Sequence, residues 1–232
     1  MMHSFHLAEL PVRVSAALLV RPPTARTVPG LRHTECLAGM RLGAPVVSSA
    51  RMQVRRLAVF AAWDDEAALD GFLAGAGRPL ASGWHVRLEF LRRWGHVTEL
   101  GDLPEVADRS DPTEPVVAVT LARMRLGEVP RFIRWGRPVE RLVRDHPGTT
   151  LALAAMRPPR TVSTFSVWHT ARDMTDMVHG RGHVDGPTRH AEAMRERERR
   201  DFHHEFTTLR FRPLSEQGSW EGRSGIVPRP DG

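Results

Sequence analysis

His179, His183 and His190 fall close together around Gly180, Gly182 and Gly186. Histidine is the side chain best able to offer a neutral lone pair to a metal near neutral pH. The glycines break this stretch into two predicted helical pieces, at about 170–178 and 188–206. His190 sits in the first turn of the second piece, with Thr188 as its cap. There the positive end of the helix dipole disfavours imidazolium, which keeps the ring neutral and its lone pair free. Met194 lies one turn further along the same face, and Ala191 and Ala193 are small enough to let a flat macrocycle approach. From the residues alone, His190 is either such a ligand or a satisfied histidine beside a turn. His179 and His183 are alternative ligands, or else solvated loop residues. Phe165 and Trp168, like Phe60 and Trp63, stand at strand ends and read as core, with pocket lining as the second reading. His203-His204-Glu205 lacks the second histidine that a zinc-protease helix needs.

Several chemistries are removed by absences. The chain has no lysine, so it offers no Schiff base to pyridoxal phosphate and no lysine nucleophile. It has no tyrosine, and its single Cys36 cannot form an intrachain disulfide or hold an iron–sulfur cluster alone. No nucleophile elbow, phosphate-binding loop or dinucleotide fingerprint occurs. The net charge of +6 and pI near 11.1 invite a nucleic-acid reading. However, the arginines are interleaved with acids, as in Arg195-Glu196-Arg197-Glu198-Arg199, and read as a solvated helix face rather than a basic stripe. The expected partner is therefore a small molecule, not nucleic acid. No run of residues is apolar enough for a membrane span, and Val12–Val20, interrupted by Arg13, reads as a strand rather than a leader. A cytoplasmic location is expected.

An internal repeat positions these residues. Residues 58–75 (AVFAAWDDEAALDGFLAG) align with 163–180 (STFSVWHTARDMTDMVHG), pairing Phe60 with Phe165, Trp63 with Trp168 and Gly75 with Gly180 at one constant offset. In both copies an alternating strand ends at tryptophan and an amphipathic helix follows. The second copy reads strand 116–123, helix 130–146, strands 149–156 and 161–168, helix, and strand 207–213. That is the split βαβ, or ferredoxin-like, order. In the first copy, with Val12–Val20 as its first strand, only the proline-rich 21–30 remains for the first helix, which is expected to be reduced or absent. The expected organisation is repeat 1 at 1–100, a linker at 101–115, repeat 2 at 116–223 and a flexible tail at 224–232. Two such sheets face to face give an α+β fold: two ferredoxin-like repeats forming a fused dimeric α/β barrel.

Four segments resemble the spheroidene monooxygenase family, the acyclic carotenoid ketolases and their relatives: 55–73 (RRLAVFAAWDDEAALDGFL), 161–174 (TVSTFSVWHTARDM), 189–206 (RHAEAMRERERRDFHHEF) and 210–223 (RFRPLSEQGSWEGR). The resemblance implies a haem-binding α/β barrel that performs oxygen chemistry on a hydrophobic small molecule, in secondary metabolism. By the same resemblance His190 corresponds to the family's histidine ligand. Haem b with His190 on the iron, Met194, Phe165 and Trp168 around it, and an electron donor or peroxide as co-reactant is the resulting expectation; an oligomer is compatible with it. Two rival expectations are a cofactor-free barrel monooxygenase or cyclase, and a non-catalytic haem or small-molecule carrier.

Overall fold

The computed structural model describes residues 1–42, 52–179, 181, 195–197 and 199–229. In chain order its elements are β1 (Met2–Glu9), α1 (Val12–Val20), β2 (Leu31–Met40), β3 (Gln53–Trp63), α2 (Glu66–Ala74), α3 (Arg78–Ala81), β4 (Trp84–His96), β5 (Val116–Met124), α4 (Val129–Asp145), β6 (Thr149–Arg157), β7 (Thr161–Trp168), α5 (Ala171–His179) and β8 (His203–Gln217). The strands close into a barrel in the order β1-β3-β2-β6-β7-β5-β8-β4. Within it, β4-β1-β3-β2 and β8-β5-β7-β6 are each the antiparallel order of a ferredoxin-like unit. The two units join edge to edge, β2 to β6 and β4 to β8. Closure leaves neither unit with an open edge.

Three expectations are corrected. The first strand is Met2–Glu9, and Val12–Val20 is the first helix of repeat 1, so that helix is present. Met2–Glu9 carries no alternation because both its faces are buried. The apolar run after Pro11 instead packs Val14, Leu18 and Leu19 against the sheet, at helical spacing. Second, the helix expected to reach 206 gives way to β8 at His203, where Met124 and His96 pair with His203 and Phe206. Third, the tail is anchored at Ile226 and Val227. Gly218, at φ +81°, turns the chain where any Cβ would strike the carbonyl oxygen of Gly83. Ile226 is then 1% exposed, and the backbone N–H groups of Ile226 and Val227 donate to Glu216 at 3.1 and 3.2 Å. Trp84 Nε1 donates to the same carboxylate at 2.8 Å. No helix among the described residues is long and apolar enough to cross a membrane.

Candidate active site

The barrel interior is filled by its own side chains. Phe5, Phe60, Trp84, Phe165 and Phe211 are fully buried there, with Leu37, Leu88, Val119 and Leu209 packed among them. His3 lies against Phe60, Phe90 and Phe211, and neither of its ring nitrogens finds a partner. Burial, followed by the positive chain terminus and His33, pushes His3 down to about 3. Glu35 is 1% exposed; it accepts from Arg157 at 2.7 Å and from Arg123, while His33 Nε2 stands 3.5 Å away. Burial alone would raise Glu35, but His33, Arg123 and Arg157 outweigh it and hold the acid below the usual carboxylate range. Arg123 also reaches Glu99 at 3.3 Å, so this network ties β2, β5 and β6 together, with the Glu35 carboxylate held by two arginines. It reads as a structural clamp.

The outer faces of the two sheets are covered differently. Met2 pairs with Trp63 and Val116 with Trp168, which makes His6 the counterpart of Thr120 and Val59 the counterpart of Thr164. On the first sheet Leu57, Val59, Ala61 and Trp63 are all buried beneath the helices. His6 stacks on His85 at 5.2 Å, and Ser4 Oγ accepts from Trp63 Nε1 at 2.9 Å. On the second sheet the same positions hold Ala118, Thr120, Ala122, Val162, Thr164 and Ser166. Thr120 and Thr208 face each other with their hydroxyls 3.5 Å apart, where the first sheet has its histidine pair. Thr164 is exposed although β7 is an inner strand of its sheet. Helix α4 is held near one end by Phe132 and Trp135 against Ala122, Met124 and Phe202, and near the other by Val143 against the Trp168 cluster. None of its seventeen residues is buried. Among the described residues, Ala118 and Thr120 stay partly exposed and Thr164 exposed between these two anchorages, an open strip of small side chains.

His203 stands at one end of this strip. Its Nδ1 is 2.9 Å from Asp201 Oδ1, which also accepts the His203 backbone N–H at 2.9 Å. Nε2 is buried without a partner, among Phe132, Phe202 and Phe206. Burial lowers the His203 pKa against the pull of Asp201, so the ring is neutral, with a proton on Nδ1 and a free lone pair on Nε2. Such an imidazole can accept a proton or ligate a metal. The sequence signal for it is the carboxylate two residues before a histidine at the start of a strand.

The expected site residues fall in different places. Phe165 and Trp168 lie on opposite faces of β7: Phe165 is inside the barrel, 3.7 Å between centroids from Phe5, and Trp168 is on the helix-covered face. The joint lining of one pocket by both rings is therefore corrected, since a strand sends residues three apart to opposite sides. Trp168 Nε1 donates to Ser166 Oγ at 2.9 Å, and its ring borders the open strip beside Ala171 and Met174. His179 ends α5 in an exposed position with Nδ1 2.8 Å from the Thr175 carbonyl oxygen, and its Nε2 has no partner among the described residues. His183, His190 and Met194 lie outside the described residues. Burial pushes the Cys36 thiol up to about 12, so it is not a thiolate ligand. Among the described residues no three His, Cys, Asp or Glu side chains converge as a metal cage. A haem iron, held by an axial side chain, does not require one.

No family model matches the chain, and no curated protein matches it by sequence. Solved structures do match along its length. A candidate monooxygenase from Fusobacterium nucleatum is 7% identical, with 94% of each chain covered and a TM-score of 0.39. An anthrone oxidase-like protein is 12% identical, covering 93% of this chain and 92% of its own, at a TM-score of 0.35. A heme-degrading enzyme from Listeria monocytogenes is 10% identical, covering 90% of this chain and 99% of its own, at 0.27.

Proposed function

We propose that this chain is a haem-dependent oxidative enzyme of monooxygenase type acting on a hydrophobic small molecule, with haem b on the outer face of the second sheet and His190 as its proximal ligand. The observation that carries the reading is the open strip of Ala118, Thr120 and Thr164 beneath a helix with no buried residue. A flat macrocycle needs a floor of small side chains and apolar walls, and Phe132, Trp135 and Trp168 are the walls available. Bound haem would supply the redox chemistry with dioxygen or peroxide. The chain's own contribution is to hold the ring, exclude water with those aromatics, and accept or return a proton at His203 Nε2 while Asp201 fixes the tautomer. His190 as ligand rests on the resemblance and on its place at a predicted helix start.

A second reading is favoured by His203 itself: a cofactor-free barrel enzyme in which the His203–Asp201 pair performs the proton transfer. One absorption spectrum of protein produced with haem supply separates the two. A Soret band that disappears in His190→Ala, with native circular dichroism and with His179→Ala and His183→Ala unchanged, is expected. Normal haem content in His190→Ala overturns the ligand assignment. No haem in the wild-type protein overturns the cofactor and leaves the second reading.

A further inference from the structure

Arg92 and Arg210 are directly opposed across the β4–β8 seam, on the same outer face as the open strip. Arg210 is also the register partner of Ala118, and Trp94 that of Thr208, so the pair borders the strip on its β4 side. Opposed like charges on neighbouring strands repel, and a sheet ordinarily pairs them with acids instead. The same row shows this ordinary solution one step away: Arg212 is surrounded by Glu89, Asp108 and Glu114 at 2.5, 3.2 and 3.4 Å. Neither Arg92 nor Arg210 has a carboxylate within ion-pair distance among the described residues. Both guanidinium groups instead lie on Trp94, at 4.0 and 4.7 Å from its ring centroid. Arg92 Nε is buried without a partner, while Trp94 is 40% exposed, so the cluster is half sunk and still reachable from solvent. Burial, and then the charge of Arg92, lowers the Arg210 pKa to about 10, in keeping with that arrangement.

We infer that Arg92, Arg210 and Trp94 form a carboxylate-binding subsite, which anchors the acidic group of a flat apolar ligand whose body lies along the Ala118–Thr120–Thr164 strip. Two guanidinium forks offer paired N–H donors to a planar carboxylate, and the indole gives the ligand's apolar body a face to lie on. A bound carboxylate also cancels the repulsion between the two arginines. The inference rests on the open strip being the ligand site, as in the function proposed above, and not on haem being the ligand. The carboxylate can belong to a cofactor side chain or to the substrate.

The test compares 2-naphthoate with the neutral 2-naphthamide, and haemin with haemin dimethyl ester, by titration of the full chain at low salt. Arg92→Gln, Arg210→Gln and the double variant are measured alongside. Wild-type protein should prefer each acid over its neutral analogue by about tenfold or more, and the double variant should lose that preference. Discrimination with naphthoate alone assigns the subsite to a substrate carboxylate and leaves it standing even if haem fails to bind. Discrimination with haemin alone assigns it to the cofactor. Equal binding of acid and neutral analogue in both pairs, or binding of none of the four probes, overturns the inference. Thermal unfolding supplies the second readout: both single variants should be no less stable than wild type, because each removes a like-charge contact. A clear loss of stability would make the arginines structural and overturn the subsite.

Discussion

Phe5 and Phe165, one from each half of the chain, stack at the centre of the barrel with centroids 3.7 Å apart and 11° between their planes. This contact makes the interior a shared core rather than a pocket, which is why the proposed site lies on the outer face. Phe165→Ala should therefore act on stability, by about 3–5 kcal/mol in urea unfolding, as for a deleted core aromatic. Ligand binding per folded molecule should be unchanged. A variant of normal stability that had lost its ligand would return Phe165 to the site.

Thr164 is the position at which the second sheet is most clearly left open. Thr164→Trp should fill the strip without disturbing the core, because the side chain already faces solvent. Haemin or naphthoate affinity should fall at least about tenfold, with a thermal midpoint near that of wild type. Unaltered affinity would place the ligand elsewhere.

Glu35 between Arg123 and Arg157 is a buried ion network, and removing its charge leaves two guanidinium groups partly buried. Glu35→Gln should cost about 3–5 kcal/mol, read from denaturant midpoints at pH 7. The folded acid titrates below its unfolded value near 4.5, so its contribution is present above that pH and is lost as pH falls through the folded value. The gap between wild type and Glu35→Gln should narrow below about pH 4.5.

His3 and His6 carry the opposite signature. Both are held neutral by burial, with folded values of about 3 against an ordinary 6.5. Below pH 6.5 the unfolded chain takes up protons that the folded chain refuses, so stability declines as pH falls from about 6.5 towards 3. Each histidine contributes a slope of up to about 1.4 kcal/mol per pH unit. His3→Phe should flatten the profile in this window, which begins two units above the one set by Glu35. An unchanged slope would mean that His3 is protonated in the folded protein.

The fold was legible because Phe60/Phe165 and Trp63/Trp168 repeat at one spacing, and duplicated strands that end in tryptophan leave few ways to close a sheet. The first strand was not, because Met2–Glu9 is buried on both faces and shows no alternation, while the apolar Val12–Val20 drew the strand assignment to itself. The helix expected through 206 failed for a related reason. Charged residues at helical spacing continue up to Arg200, and nothing local marks that Phe202 to Phe206 will be drawn into pairing with distant β4 and β5. For the site, histidines announce themselves by type, whereas an opening announces itself only by comparison. Ala118, Thr120 and Thr164 look unremarkable until set against Ser4, His6 and Val59, their counterparts in the other half.

The β4–β8 seam fixes an order of events during synthesis. His85 pairs with Gln217 and Trp84 is tied to Glu216, so β4 leaves the ribosome long before its partner strand has been made. Until then the first half is a four-stranded sheet with β4 as a bare edge, open to pairing with any other extended chain. Arg87, Glu89, Arg92 and Arg93 lie along that edge, and their charges discourage a wrong strand from docking in the interval. Residues so distant in sequence are costly to bring together, so closing this seam, like the β2–β6 seam, is expected late. Arg92, which faces Arg210 in the finished barrel, is thus also one of the charges that guard the nascent edge.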